Sequence, residues 1–460
     1  MGQPAPHIEG FGTHRSTKGK PKFFVSRCQY YTDINLGNWS VNIAHGTRET
    51  PDWPILIRMT GWELHLFDDG KGRWGPLTDL RAVFELRSGA LTTCERIETA
   101  LGRKVDGLFV PERLREVLSD RNDVPVNGFN ERNVDQGVMI VNGRWLATGG
   151  IEHVKLLSLG CGVVQEDGQL VAAVVPLSSA MEIVRSGGAA GHLRLERLDQ
   201  KVLIERPWDI LAHLEAALFA DLDSMKLPVF GGGVDGLTVT GGYQVKIACD
   251  AKIHPHVVID SDKGPVVIDE SVIVGSFSVI AGPCYIGPAS IIPPHAHIRA
   301  NTAIGPRCVV GGEVSHSVIH GYTNKGHSGY LGHSLVGQWV NLGAGTSVSN
   351  LKNTYGNVHC QLEGATPSED STTNKFGSVI GDYVRTAIGT RLMTGACIGT
   401  GSMLALSGFA PKYVDRFTFA TDACTELYEM KRFIISVQRA MARRKRDLTI
   451  SEQQLLRQLA

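Results

Sequence analysis

Residues 266–310 read VVIDESVIVGSFSVIAGPCYIGPASIIPPHAHIRANTAIGPRCVV. An aliphatic side chain falls at every sixth position of this stretch: Ile268, Val274, Ile280, Ile286, Ile292, Ile298, Ile304 and Val310. The residue two places before each of them is small or β-branched: Val266, Val272, Ser278, Cys284, Ser290, Ala296, Thr302 and Cys308. Neither an α-helix nor an alternating strand has a period of six, whereas a coil with three short flat faces brings every sixth residue to an inward corner. The hexads therefore predict a left-handed parallel β-helix.

The same register extends beyond this stretch and is interrupted twice. It recurs at Ile247, Ile253, Ile259, Val336, Leu342, Val348, Ile380, Leu392, Ile398 and Leu404. The interruptions, at about residues 316–335 and 351–379, are too polar to be coils and are predicted to leave the prism as loops. Loops on a rigid solenoid commonly carry the chemistry of such folds.

The rest of the chain divides into segments of different composition. Residues 1–58 are rich in Gly, Pro and charge and are predicted to be a weakly ordered extension. Residues 59–228 mix short apolar runs with helical stretches, which predicts an α/β domain. The β-helix follows at 229–410, and 411–460 is predicted to be a helical tail with a basic run at 443–446. The apolar face of that tail consists of Leu427, Met430, Phe433, Ile434 and Val437.

Composition limits the class of partner. Lys and Arg number 46 and Asp and Glu also 46, so no global field favours nucleic acid. No stretch is apolar enough to span a membrane, and the start of the chain lacks the apolar core of a signal peptide. The nine cysteines contain no CxxC pair, which argues against zinc and against a disulfide framework. We therefore expect a cytoplasmic protein without a metal site of that kind.

The flat faces of the prism predict association. Their outward side chains are largely uncharged, for example at Val279, Tyr285 and Ile291. Burying such surfaces against neighbouring copies would stabilise an oligomer at roughly 25 cal/mol per Å². We expect a homotrimer.

The second part of the solenoid carries a resemblance to a known family. Residues 326–350, GHSGYLGHSLVGQWVNLGAGTSVSN, resemble the active-site segment of the bifunctional N-acetylglucosamine-1-phosphate uridylyltransferase/glucosamine-1-phosphate acetyltransferase (GlmU-like) family. Residues 374–376, NKF, resemble its next loop. The wider stretch 311–353 and the later FAPKYVDRFTF at 409–419 are more similar to a less studied subgroup of sugar nucleotidyltransferases of this type. The resemblance implies an α/β nucleotidyltransferase-like (Rossmann-like) domain before the β-helix.

The resemblance also implies acyl transfer from a thioester to a sugar amine. That reaction needs a base for the amine proton and donors for the developing oxyanion. Histidine suits the base because its ordinary pKa lies near the working pH. His327 matches the family's base, and Glu313 matches the carboxylate that polarises it.

Further residues match the family's binding groups. Those that match sugar and phosphate contacts are Tyr330, Asn341, Lys375 and Arg299. Backbone amides near Ala344 and the side chain of Asn350 match the contacts to acetyl-CoA or another acyl-CoA. Ser315 stands where the family usually has a phosphate-binding lysine, which leaves the phosphate of the substrate open.

The first domain keeps only part of a nucleotide-binding pattern. Residues 64–89, LHLFDDGKGRWGPLTDLRAVFELRSG, retain the PLT tripeptide at 76–78 and place Arg73 at the family's loop arginine. The family's loop lysine falls on Val83, and Arg81 and Arg87 are candidates to replace it in holding a triphosphate. The family's magnesium aspartate falls on Arg144, and an arginine cannot ligate a cation.

Three functions of different classes remain open. The favoured one is an acyl-CoA-dependent transferase that acts on an amino sugar phosphate or nucleotide sugar, with His327 as base. The second is a sugar-1-phosphate nucleotidyltransferase that uses magnesium and a nucleoside triphosphate, its site rebuilt around Arg73, Arg81 and Arg87. The third is a trimeric scaffold in which both sites have decayed.

Overall fold

The computed structural model describes residues 62–129 and 137–460 and, before them, the backbone of three strands. These strands, Thr32–Leu36, Trp39–Ile43 and Arg58–Met59, pair antiparallel in one small sheet. The predicted extension at 1–58 otherwise lies outside the described residues. Residues Trp62–Ala460 form a separate compact unit, which contains both the α/β domain and the solenoid.

The solenoid is a three-sided prism of parallel sheets, and the predicted β-helix is confirmed. Face A comprises Thr238–Thr240, Val258–Asp260, Val279–Ala281, His297–Ile298, Glu313–Ser315 and Tyr330–Gly332, and the pair Ser347–Val348 and Arg391–Leu392 follows. Face B comprises Val245–Ile247, Val266–Ile268, Cys284–Ile286, Thr302–Ile304, Ser317–Gly321, Leu335–Gln338, Ser378–Ile380, Ala396–Ile398 and Tyr413–Val414. Face C comprises Lys252–Ile253, Ile273–Val274, Ile291–Ile292, Val309–Val310, Asn324–Lys325, Asn341–Leu342, Arg385–Thr386, Met403–Ala405, Thr418–Thr421 and an antiparallel last strand, Thr425–Leu427. The pairing thus continues beyond residue 410.

The two rows of the hexad pattern form the interior of the prism. Within the quoted stretch the aliphatic positions and the small positions are all at most 1% exposed. Ile268 pairs with Ile286 and Ile286 with Ile304, so equivalent corners stack at intervals of eighteen residues. Each regular coil thus has three faces of six residues, and every sixth residue takes the same inward position on the next face.

The first interruption of the pattern was predicted to be an extruded loop, and this prediction is wrong. Residues 316–335 form a coil, with strands on faces B, C and A. The coil is shortened: Ile304 pairs with Ile319 and Val310 with Lys325, fifteen residues along instead of eighteen. The second interruption does leave the prism, as an excursion with the hairpin His359–Cys360 and Glu369–Asp370.

The α/β domain contains a six-stranded mixed sheet. In sheet order its strands are Gly107–Phe109, Glu63–Phe67, Gly137–Asn142, Leu170–Pro176, Cys161–Val164 and Arg194–Arg197. The first three are parallel to one another, and Leu170–Pro176 runs antiparallel between its two neighbours. Its helices are α1 (Thr93–Leu101), α2 (Arg115–Arg121), α3 (Ile151–Lys155), α4 (Leu177–Arg185) and α5 (Pro207–Ser224). Short 3-10 turns lie at Gly75–Thr78, Val83–Glu85 and Glu112–Leu114.

Face B of the prism is covered by the α/β domain of the same chain. Its outward residues Val267, Tyr285 and Val318 are buried in one apolar cluster with Trp208 and Leu214 of α5. Tyr285, which was expected to face a neighbouring copy, therefore packs within its own chain. The apolar surface that the sequence assigned to association is partly used for joining the two domains.

The tail forms two helices, α6 (Met430–Ala442) and α7 (Ile450–Gln458). Phe433, Ile434 and Val437 are buried as predicted, but Leu427 precedes the helix in a strand and is 65% exposed. Helix α6 contacts face C, where Nη2 of Arg385 donates to the carbonyl oxygen of Ser436 at 3.0 Å. In the described part of the chain, no helix has both the length and the apolar character needed to cross a bilayer.

Candidate active site

The predicted base lies at an edge of the prism. Residues 326–329 form the turn between Asn324–Lys325 on face C and Tyr330–Gly332 on face A. Gly311 in the preceding coil has no room for a side chain, because an added Cβ would lie 2.8 Å from the carbonyl oxygen of Gly326. Close stacking of the two turns leaves the His327 side chain exposed at the edge.

The His327 side chain lines a groove of about 830 Å³ between face C and the tail. Asn341, a predicted substrate contact, lines it too. One wall contains Tyr322 and Trp339, whose rings stack with centroids 4.4 Å apart. The opposite wall contains Ser436 of α6. The groove therefore combines a titratable imidazole, an amide donor and an aromatic surface.

Four arginines line this groove, and none of its lining residues is acidic. Arg385 is held by Ser436, and Nη2 of Arg444 donates to Oδ1 of Asn324 at 2.8 Å. Arg439 and Arg443 are exposed. A concave surface with cations of one sign attracts anionic ligands, and guanidinium groups are well suited to phosphate.

A second cluster of predicted residues lies on face A. Glu313 and Tyr330 are adjacent in the strand register. Nη1 of Arg299 lies 2.9 Å from Oε1 of Glu313. Nδ2 of Asn350 donates to the Tyr330 hydroxyl at 3.1 Å and to Nδ1 of His333 at 2.7 Å. Two of the four predicted sugar contacts, Arg299 and Tyr330, therefore lie together on this face with Glu313 and Asn350.

His333 is a member of this cluster to which the sequence assigned no functional role. Its ring stacks on that of His316 with centroids 4.5 Å apart. Burial, followed by the nearby His316, Lys375 and Arg299, lowers the pKa of His333 to about 3. The ring is therefore neutral at physiological pH and accepts a hydrogen bond from Asn350. Only the contact across seventeen residues reveals this role, and no local pattern indicates it.

The structure does not bring His327 and Glu313 together as the resemblance implied. The carboxylate of Glu313 is bonded to Arg299 on face A, whereas His327 opens toward the groove on face C. Their predicted roles stay predictions, but the predicted base and carboxylate are not a hydrogen-bonded pair.

Of the remaining predicted residues, Ala344 lies close to the same turn and Lys375 lies at the end of the excursion. Ala344 belongs to the turn of the next coil, where its carbonyl oxygen accepts from the amide of Gly389 at 2.7 Å. In that turn the amide of Gly345 donates to the carbonyl oxygen of Ser328 at 3.0 Å, so it stacks directly on the His327 turn. Lys375 is exposed at the end of the excursion, next to Phe376, whose amide donates to the carbonyl oxygen of Asn350.

The surroundings of Arg144 in the α/β domain do not fit a magnesium ion. Arg144, at the family's aspartate position, is fully buried, and its Nη2 lies 2.7 Å from Oδ2 of Asp69. It also donates to Gln169 and to the carbonyl oxygen of Ile204. A magnesium ion needs oxygen ligands in octahedral geometry, and a guanidinium group supplies only donors. Within residues 62–129 and 137–460, no three His, Cys, Asp or Glu side chains are grouped to hold a metal.

The candidate nucleotide-binding arginines already have protein partners. Arg81 is buried and donates to Oδ2 of Asp382 at 2.7 Å. Arg87 is buried, donates to the carbonyl oxygen of Ala90 and lies over the ring of Tyr285. Both therefore join the α/β domain to the prism and do not line an open cleft.

The third candidate, Arg73, is 44% exposed and pairs with Glu369 of the excursion at 3.1 Å. The loop after it is packed against the prism. Gly75, Pro76 and Leu77 are buried, and the Thr400 hydroxyl donates to the carbonyl oxygen of Pro76 at 3.4 Å. A phosphate-binding loop must expose its backbone amides to the ligand, so this loop is poorly placed for a triphosphate.

Comparison with known proteins agrees with the predicted resemblance. Residues 64–227 match the model of the sugar nucleotidyl transferase family. The bifunctional protein GlmU of Methanococcus vannielii is 30% identical over 219 residues, which are 47% of this chain and 45% of that protein. The GlmU of Azoarcus sp. is 35% identical over 121 residues, 26% of this chain and 23% of that protein. The chain thus spans less than half the length of both relatives.

Among solved structures, a hexapeptide transferase family protein from Anaplasma phagocytophilum matches with 15% identity and a TM-score of 0.21. The match covers 49% of this chain and 97% of that one. The family model and the two relatives confirm the predicted resemblance of this chain to the GlmU-like family of sugar nucleotidyltransferases.

Proposed function

We propose that the prism transfers an acyl group, acetyl in the simplest case, from acyl-CoA to the amine of an amino sugar that carries a phosphate or nucleotide. The observation that carries the proposal is the groove between face C and α6. His327 and Asn341 line it together with four arginines and no carboxylate. It combines a candidate base with a surface suited to a phosphate-rich donor.

Each group in the groove has one role in the proposed reaction. The sugar amine attacks the thioester carbonyl, and the carbon–sulfur bond breaks as the amide bond forms. His327 takes the proton from the attacking amine and returns it to the departing thiolate. Its exposed position at the edge of the groove suits a base that must meet an incoming substrate. The side-chain amide of Asn341 is a donor in the same groove and can orient the bound molecules.

The four arginines of the groove would bind the CoA part of the donor. Arg439 and Arg443 are exposed on the tail side of the groove, and Arg385 and Arg444 have fixed partners. CoA carries several phosphate charges, which four guanidinium groups would attract and orient. The tail would thus be part of the donor site.

The face A cluster is the proposed acceptor side. Arg299, Tyr330, Asn350 and Lys375 lie around the half-buried ring of His333. Lys375 supplies positive charge on this side, where Ser315 replaces the family's lysine, whereas the charge of Arg299 is paired with Glu313. This arrangement supports an anionic amino sugar without fixing whether its phosphate is terminal or part of a nucleotide.

We further propose a homotrimer in the cytoplasm. The α/β domain covers face B and α6 contacts face C, so face A is left for a neighbouring copy. A copy packed there would border the acceptor cluster. The free cysteines among the described residues fit a reducing compartment. Light scattering tests the oligomer, and a monomer mass at micromolar concentration would contradict it.

Nucleotidyl transfer finds no comparable support in the α/β domain. The position of the magnesium aspartate holds Arg144, and two of the three arginines expected to bind a triphosphate, Arg81 and Arg87, are engaged with Asp382 and Ala90. No step through magnesium is derived for this chain.

Mass spectrometry of the products tests the proposed function. Glucosamine-1-phosphate, galactosamine-1-phosphate and amino-sugar nucleotides are offered together with several acyl-CoAs and nucleoside triphosphates. The expected product is an N-acylated sugar whose formation releases free thiol. No thiol release with any amino sugar would contradict the proposal.

A further inference from the structure

A lysine occupies an interior position in a row of the prism that is mostly aliphatic. On face C the inward row contains Val274, Ile292, Val310 and Leu342, and Lys325 stands between the last two. The Lys325 side chain is only 2% exposed. Burying a charged or polar group costs free energy unless it is hydrogen-bonded, so the position requires an explanation.

The amine of Lys325 is bonded to two successive turns of the coil. Nζ donates to the carbonyl oxygen of Gly311 at 2.8 Å and to that of His327 at 3.0 Å. Gly311 belongs to the turn below, and His327 is the residue proposed as base. One side chain thus joins the backbone of the His327 turn to the backbone of the turn beneath it.

The shortened coil explains why a donor is needed here. Val310 and Lys325 pair at an interval of fifteen residues, so the turns between them are tighter than in the regular hexads. Gly312 adopts a left-handed φ of 69° in this corner, and an added Cβ there would approach the Lys325 amine at 3.0 Å. An aliphatic residue at 325 would leave both carbonyl oxygens without this donor, and an unpaired buried acceptor is costly.

We infer that Lys325 is a positioning residue, which fixes the turn at 326–329 and thereby the place of His327 at the edge of the groove. The functional part of the inference rests on the proposed acyl transfer. Lys325 does not line the groove, so it acts through the backbone of His327 and not on the substrate.

The test compares Lys325→Met, which keeps length and apolar volume but has no donor, with Lys252→Met. Lys252 is an exposed lysine on the same face in an earlier coil. Hydrogen exchange is measured at residues 311–312 and 326–329, together with kcat and KM for acetyl-CoA. In Lys325→Met we expect exchange about tenfold faster or more and a clear loss of kcat, because two buried hydrogen bonds are lost. KM should change little, since the arginine side of the groove is untouched.

Two results would overturn the inference. Unchanged exchange and unchanged kcat in a folded Lys325→Met protein would overturn the inference. A fall in kcat with an equal rise in KM would mean general damage to the groove and would also overturn it. If Lys325→Met does not fold, Lys325→Gln replaces it and is judged by the same two measurements. If exchange rises but the wild-type protein transfers no acyl group, Lys325 fixes the turn and the proposed function is wrong.

Discussion

Nη2 of Arg144 lies 2.7 Å from Oδ2 of Asp69, and both side chains are at most 1% exposed. Burial alone would raise the pKa of Asp69, but the hydrogen bonds and charge of Arg144 outweigh it and hold this pKa below its usual range. The carboxylate is therefore ionised and depends on one cation for its compensation. An internal ion pair thus stands at the position that the resemblance aligned with a magnesium ligand.

Replacing Arg144 by Met should lower the free energy of unfolding by about 3–5 kcal/mol, because it leaves the buried Asp69 carboxylate without a counter-ion. Denaturation in urea measures the loss. Arg197→Met is the control, since Arg197 is exposed in the same domain and should change stability by no more than about 0.5 kcal/mol. Equal stability of the two variants would mean that the ion pair contributes nothing to the fold.

Pyrophosphate release from magnesium and nucleoside triphosphates should be weak or at background. Arg144 cannot ligate the metal, and the loop at Gly75–Leu77 is buried against the prism. Any residual activity should depend on Arg73, which is the exposed member of the three candidate arginines. A coupled assay with several sugar-1-phosphates measures it. Robust magnesium-dependent release that persists in Arg73→Ala would place the nucleotide site elsewhere in the α/β domain.

Charge removal in the groove should weaken binding of the donor. We expect Arg439→Gln combined with Arg443→Gln to raise KM for acetyl-CoA about tenfold at low salt, with the difference shrinking as salt screens the interaction. Acetyl-pantetheine, which lacks the phosphates, should show equal KM in both proteins. Arg432→Gln is the control on the same helix, because Arg432 pairs with Glu429 and does not line the groove. An equal effect on both donors would exclude a phosphate-binding role.

The repeat was predictable because its signal is local and periodic. The hexads from Ile268 to Val310 predicted the prism, and the apolar face that contains Phe433 and Val437 predicted the tail helix. The shortened coil was not predictable, since turns that lose residues break the period without producing another one. Lys325 therefore fell in a predicted polar loop, although it is buried in the mostly aliphatic inward row of face C.

Contacts between distant segments were also beyond the sequence. Arg81 and Asp382 form a buried ion pair across 301 residues, and no local pattern connects them. A candidate for binding a triphosphate therefore proved to join the two domains. The site motif likewise predicted only part of its own cluster. It identified Tyr330 and Asn350, which are hydrogen-bonded to each other. It did not identify His333, which accepts a hydrogen bond from Asn350.

The stability contributed at Lys325 should rise with pH above neutrality. Burial lowers the pKa of Lys325 from 10.5 to about 8. Between these values the unfolded chain keeps the proton and the native protein has lost it, so stability increases by up to about 1.4 kcal/mol per pH unit. The neutral amine still has two N–H donors for its two carbonyl partners.

Urea unfolding of the wild type and Lys325→Met at several pH values from 7.5 to 10 measures this dependence as a difference, in which other titrating groups cancel. The wild type should gain stability relative to the variant as the pH rises. Lys252→Met should follow the wild type in parallel, because its amine is exposed. A difference that is constant or falls with pH would mean that Lys325 is buried as a fully paired ammonium.

His327→Ala should abolish acyl transfer and leave the fold intact. The side chain is exposed, so its removal should change stability by no more than about 0.5 kcal/mol, whereas loss of a general base lowers the rate by about 10² to 10⁴. His333→Ala is not a neutral control, because His333 is bonded to Asn350 and stacked on His316. His254→Ala is better matched, since His254 is exposed just after strand Lys252–Ile253 on the same face four coils earlier. Thiol release from acetyl-CoA is followed for both variants across pH, and equal rates would leave the groove without a catalytic histidine.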